Sequence, residues 1–338
     1  MPFIRFVKLA ALSAAMACAA LTGSATAQTI ELKLSHFVPP QHAFHKWVVA
    51  WTEKIEKESG GRLKFTIYPN GQLVGPPNRQ FDAARNGITD IAWCLHGVTP
   101  GRYPVTELAN YPFAWPGKEP DIVEMAKRMT ELAPKYFAAE HTGLHILFMS
   151  MANPVVVYSK NPIRKLDDFK GMKIRYASLA NKVMLDALGA TTMLIPPPES
   201  QDALAKGIAQ GATFPHEAGL AYDLASVVKY AIHPPMASAT FAMVMNPAKY
   251  NSLPPDLRAL LDKESGVAAA VSFGKAWIAQ EKFALNLETT KKGLEIINLP
   301  DGEVAKLKAL GKKQTDEAIA ALDKQGKPAS KFMAEYLK

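Results

Sequence analysis

The sequence predicts an α/β protein of two domains, with mostly parallel sheets and long C-terminal helices. Three observations predict it. From Ile30 onward, strand and helix patterns follow one another in the order βαβαβ, which requires parallel strands joined by helical crossovers. A second strand-to-helix unit, centred on Lys173-Ile174-Arg175-Tyr176, opens another core further along. The chain has 338 residues, enough for two such cores behind an N-terminal leader.

That leader is predicted over Met1 to Ala27. Arg5 and Lys8 form a basic start, Leu9 to Leu21 is apolar and small, and Ala25-Thr26-Ala27 is an Ala-x-Ala cleavage site. The apolar run is short for a membrane span. A competing cut before Cys18 would give a lipid anchor, but Ala15-Met16-Ala17 lacks the usual leucine before that cysteine. Cleavage after Ala27 leaves Cys94 as the single cysteine, so neither a disulfide nor a cysteine-based metal site is available. The formal net charge of +8 falls to +6 once Arg5 and Lys8 leave. This mild bias favours anions. No dense Lys/Arg block points to nucleic acid.

The first strand is predicted over Ile30 to Ser35, where apolar and polar residues alternate. A helix from about His42 to Lys57 places Phe44, Trp47, Val48, Trp51 and Ile55 on one side, and Gly60-Gly61 stops it. Leu63 to Tyr68 is the second strand, Asn78 to Arg85 a helix, and Ile88 to Cys94 the third strand. A helical run over Asp121 to Ala139 leads to strands at Leu144 to Met149 and Val155 to Ser159.

In the next unit Met172, Ile174 and Tyr176 alternate with Lys173 and Arg175, and Ser178 is placed to cap the following helix. Strands at Thr191 to Ile195 and Gly211 to Phe214 flank a short helix at Glu199 to Lys206. Thr240 to Met245 is read as a strand returning to the first domain. Helices follow over Asp256 to Asn286 and Asp301 to Ala321, with a strand over Leu294 to Leu299 between them. The expected division is residues 28–152 for the first domain, 153–240 for the second, and 241–338 for the return strand and C-terminal helices.

In open α/β sheets, ligands bind beyond the carboxyl ends of the strands. Arg175 stands at such an end. Its guanidinium is permanently charged and its planar fork fits a carboxylate; a surface arginine on an edge strand is the plain alternative. The other strand ends supply His36 and Phe37, Trp93 and His96, Asn153, Tyr176, Phe214 and His216, and Phe241. A mostly apolar set with few polar groups suits a small-molecule pocket.

The stretch GMKIRYASLAN resembles the arginine strand of the solute-binding proteins of tripartite ATP-independent periplasmic (TRAP) transporters. LKLSHFVPP, FTIYPNGQL, NGITDIAW, YPVTELANYPF and GATFPHE are similar to the same family, in its order, across nearly the whole chain after the leader. The resemblance implies a periplasmic-binding-protein-like fold with a hinged cleft. It also implies an extracytoplasmic receptor without cofactor or catalytic residues, working with TRAP membrane permease subunits. Arg175 is then the residue that holds the substrate carboxylate.

Two departures from the family bear on the ligand. Many relatives carry an asparagine where this chain has Phe214, and a second arginine on the strand after Met149, where it reads Met151-Ala152-Asn153-Pro154. One cation and a more apolar wall imply an organic monocarboxylate, aromatic for preference and aliphatic or 2-oxo otherwise. His216 is expected either to add a hydrogen bond or to face solvent from its loop, and the ligand ring to stack on Phe214 or Trp93.

The residues give little support to other classes. The chain has no G-x-S-x-G elbow, Gly-rich phosphate loop or H-E-x-x-H pair. His42 and His45 share a helical face near His36, the ligand type of a metal-dependent enzyme, but no Asp or Glu nearby completes a usual set. A periplasmic ligand sensor would share the same fold.

Overall fold

Two mixed sheets carry the chain, each covered by helices. The structure is a computed structural model and describes residues 29–338. The predicted leader, with Cys18, lies outside the described residues. In chain order the first half comprises β1 (Ile30–Ser35), α1 (Ala43–Glu58), β2 (Leu63–Tyr68), α2 (Gln80–Arg85), β3 (Ile91–Leu95), α3 (Ile122–Tyr136), β4 (His145–Met151) and β5 (Val155–Ser159). There follow β6 (Lys173–Tyr176), α4 (Leu179–Ala187), β7 (Thr191–Leu194), α5 (Ser200–Ala205), β8 (Gly211–Phe214), α6 (His216–Ala221) and β9 (Tyr230–Ala237). The last part holds β10 (Thr240–Met245), α7 (Pro247–Ser252), α8 (Pro255–Lys263), α9 (Gly266–Lys291), β11 (Glu295–Asn298), α10 (Asp301–Lys324) and α11 (Ala329–Tyr336).

The first sheet has the order β2-β1-β3-β10-β4, the second β11-β9-β5-β8-β6-β7. The βαβαβ start produces parallel pairing of β1 with β2 and β3, as helical crossovers demand. Later returns are antiparallel: β10 pairs that way with both β3 and β4, and β5 with both β8 and β9. β5 displays the two-residue period plainly. Val155 and Val157 enter one core, Val156 and Tyr158 the other, so this strand is buried on both faces.

Three differences from the expected elements have local causes. β3 begins three residues late because Thr89 and Asp90 bond back to Lys33, donating to its carbonyl and accepting from its N–H. The expected long helix from Asp256 breaks into α8 and α9 at Ser265, where Gly266 adopts φ +56°. β9 was not expected, because Pro234 and Pro235 interrupt its apolar pattern, and prolines argue against a strand inside a sheet. α11 was likewise missed.

The chain passes between the sheets at Ala152-Asn153-Pro154 and again at Ser238-Ala239. The two crossings are tied together. Ala152 donates its N–H to the Ala239 carbonyl at 2.9 Å, and the Ser238 hydroxyl donates to the Ala152 carbonyl at 2.8 Å. β11 joins the second sheet beside β9. The 26-residue α9 buries Phe273 and Trp277 in the first core, then reaches α6 in the second half. At 1.5 Å per residue it is about 39 Å long, enough to brace both sheets.

Candidate ligand-binding site

The strand ends of the two sheets face each other across an apolar cavity. One wall comes from the first sheet and its helices: Phe37, His42, Trp93, Phe241 and Trp277. The other comes from the ends of β6 and β8 and from α6: Arg175, Thr213, Phe214 and Tyr222. The sheets approach closely at the rim. A Cβ added to Gly97, after β3, would lie 2.1 Å from the carbonyl oxygen of Ala177, after β6. Any larger residue there would hold the two loops apart, so only glycine allows this closed contact.

Arg175 is 1% exposed. Three features place its guanidinium. Nε donates to the Ile195 carbonyl at 2.9 Å, Nη1 donates to the Thr213 carbonyl at 2.6 Å, and the group lies 4.0 Å above the centre of the Phe214 ring. Nη2 is buried and has no hydrogen-bond partner among the described residues. Burial draws the guanidinium down to about 9, so it is still charged at neutral pH. A buried charge with an unpaired donor is costly unless something fills the gap. No Asp, Glu or Lys lines the cavity, so among its lining residues Arg175 is the one permanent charge.

The opposite wall is an aromatic stack. Trp93 packs nearly parallel to Phe44 and to Phe241, with ring centres 4.1 and 4.3 Å away. These neighbours occupy the faces on which a ligand ring was expected to stack, so Trp93 offers its edge. Phe214 likewise has Arg175 over its ring. His42 caps α1, its Nδ1 accepting from the Phe44 N–H at 3.1 Å. Its Nε2 stands 3.4 Å from Glu217, and burial lowers its pKa to about 3, so it is neutral. Glu217 accepts from the Ala43 N–H at 2.6 Å and from Trp277 Nε1 at 2.9 Å, which links α6 to α1 and α9.

A family model described as bacterial extracellular solute-binding protein, family 7, matches residues 34–321. The chain belongs to that family. Its fold is similar to a solved TRAP solute-binding protein of Rhodoferax ferrireducens T118 in complex with copurified benzoate. The TM-score is 0.86 at 27% identity, over 91% of this chain and 96% of that one. A marine metagenome TRAP solute-binding protein specific for aromatic acid ligands, in complex with 3-hydroxybenzoate, gives 0.84 at 30% identity, over 92% and 100%. The C4-dicarboxylate-binding periplasmic protein DctP of Rhodobacter capsulatus is 28% identical over 269 residues, 78% of this chain and 79% of it. The chain is a TRAP solute receptor, of a family that is periplasmic, binds small organic acids and works with TRAP permeases. No helix among the described residues is long and apolar enough to cross a membrane.

Of the residues expected in the receptor's pocket, Arg175, Phe214, Trp93, Phe37 and Phe241 line the cavity. The other five are placed elsewhere. His36 is buried with Nε2 3.0 Å from His45 Nδ1. His96 is held between the Thr240 carbonyl at 2.8 Å and His141 at 3.0 Å. Asn153 belongs to a crossing segment, where it donates to the Trp277 carbonyl at 3.4 Å. Tyr176 packs in the core of the second sheet. His216, read as a ligand contact or a loop residue, starts α6 and does not line the cavity. It is 3% exposed and bonded to Tyr158 at 3.0 Å, Glu288 at 2.8 Å and His233 at 3.1 Å.

The histidine group considered for zinc is split in the same way. His36 and His45 meet each other, whereas His42 faces Glu217. Among the described residues no group of three or more His, Cys, Asp or Glu is placed to hold a metal ion. Cys94 is a buried free thiol whose pKa burial pushes up, which makes it a poor nucleophile. Among the polar and aromatic lining residues, His42, Thr213, Trp277 and Tyr222 are those that sequence reasoning missed. Trp277 lies mid-helix, and Tyr222 follows an unpredicted helix, so neither stands at a predicted strand end.

Proposed function

We propose that this receptor binds an aromatic monocarboxylate of benzoate, phenylacetate or cinnamate type and delivers it in the periplasm to a TRAP membrane permease. One observation carries the reading: Arg175 Nη2 is a buried, unpaired donor on the single permanent charge of an otherwise apolar, aromatic-walled cavity. A carboxylate there gains a charge-assisted hydrogen bond and neutralises the guanidinium. A second carboxylate would lose its hydration and find no cation, at a cost of several kcal/mol. A ring gains about 25 cal/mol per Å² of apolar area buried. The aromatic acids held by two similar receptors support the same class. The C4-dicarboxylate-binding relative supports an organic acid, and the cavity lining here holds one cation, Arg175.

Calorimetric titration of the purified protein with cinnamate, pyruvate and succinate tests this. The aromatic acid is expected to bind tightest. Tightest binding of succinate would overturn the monocarboxylate reading. Tightest binding of pyruvate would keep the single carboxylate and remove the ring.

A further inference from the structure

Thirteen buried side-chain polar atoms lack a hydrogen-bond partner among the described residues, and two of them belong to residues lining the cavity: Arg175 Nη2 and Tyr222 Oη. The other polar side chains of the wall are engaged. Trp277 Nε1 donates to Glu217, Trp93 Nε1 to Ser150 at 3.4 Å, and the Thr213 hydroxyl to the Arg175 carbonyl at 3.3 Å. His42 has a contact at each ring nitrogen.

Tyr222 and Arg175 also share a neighbour. The Tyr222 ring centre lies 5.9 Å from that of Phe214, at 55°, and Phe214 is the ring beneath the guanidinium. Burial, with Glu217 nearby, raises the phenol pKa, so Tyr222 keeps its proton and remains a donor. Two orphaned donors bordering one cavity match an acceptor with two oxygens.

We propose that Tyr222 donates its hydroxyl hydrogen to the same ligand carboxylate that Arg175 holds, so that each donor takes one oxygen. This rests on the reading that a carboxylate occupies the site. Neither group then needs a second charge from the protein, which suits a monocarboxylate held in an apolar pocket.

The test is Tyr222→Phe, which deletes one oxygen atom and keeps the ring. Affinity for benzoate should fall by about 10-fold or more, the scale of losing one hydrogen bond to a charged group. Pyruvate, where it binds, should lose a similar factor, because the contact goes to the carboxylate. The melting temperature of the ligand-free variant should be unchanged or higher, since an unpaired buried hydroxyl is gone. Wild-type affinity in the variant would overturn the inference and leave the carboxylate reading standing. So would a loss confined to ring-hydroxylated acids, or a lower ligand-free melting temperature, which would reveal an internal partner. Failure of the wild type to bind benzoate, pyruvate and succinate alike would overturn both.

Discussion

Phe214 and His216 are separated by one residue, yet their side chains enter regions built on opposite rules. Phe214 faces the cavity, where Arg175 and Tyr222 each keep a buried donor unpaired. His216 turns into a buried cluster in which Glu288 Oε2 accepts from Tyr158 at 2.7 Å and lies 2.8 Å from His216 Nδ1, while His216 Nε2 meets His233. In that cluster only Glu288 Oε1 is left over. Both regions hold buried polar groups. What separates binding from support is whether the polar groups close on one another. A closed network contributes to the stability of the second half of the chain. An open one stores an unmet hydrogen bond until a ligand supplies its partner.

The largest effect expected from breaking this contrast is at Arg175. Arg175→Ala removes the charge that a buried carboxylate needs, and such truncations cost about 2–5 kcal/mol, or roughly 30-fold or more in Kd. Arg175→Lys should also lose most affinity, because an ammonium cannot hold both carbonyls and still present a planar fork. Calorimetry decides it: near wild-type affinity in both variants would remove Arg175 from the site.

On the closed side, Glu288→Gln should act on stability and spare binding. It keeps a carbonyl acceptor for Tyr158 and His216 but removes the charge that strengthens both bonds, which costs about 1–3 kcal/mol. Urea denaturation measures that loss, and titration of the folded variant should return a Kd within about twofold of wild type on this view. A large loss of affinity without a loss of stability would mean that the cluster takes part in binding.

A smaller effect tests the border between the regions. Glu217 bonds to the backbone of α1 and to Trp277, and burial pushes its carboxyl up to about 7 from an ordinary 4.5. Between those values the folded chain holds a proton that the unfolded chain has released. The stabilising contribution of Glu217 is therefore present at pH 4.5 and is lost as pH rises through 7. Glu217→Gln is neutral at every pH. Its melting temperature relative to wild type should improve between pH 5.5 and pH 8. A difference that stays flat over this range would mean that Glu217 is ionised throughout.

Much of the pocket was legible because strand ends are legible. Alternation placed β6 and β8 nearly to the residue, and their ends carry Arg175 and Phe214. The same rule brought Phe37, Trp93 and Phe241 to the cavity. It failed for His36, His96, His216, Asn153 and Tyr176, which also stand at strand ends. A strand end offers side chains to both faces of a sheet, and the sequence pattern does not say which face a loop residue takes after the strand stops. Trp277 and Tyr222 failed in the other direction, since one sits within a long helix and the other behind a helix that the sequence pattern did not reveal.

By itself, the sequence determined the α/β architecture and the membership of a solute-receptor family, and it singled out Arg175 at the end of β6. Periodicity and a distinctive strand are local properties, and they survive without coordinates. Only the tertiary structure decided which buried polar groups are satisfied. Hydrogen bonds such as those of Glu217 to Ala43 and of His216 to Glu288 join residues 174 and 72 positions apart. Pairings at that distance are set by how the sheets and α9 pack, so the orphaned donors that mark the cavity appear only when every other partner has been placed.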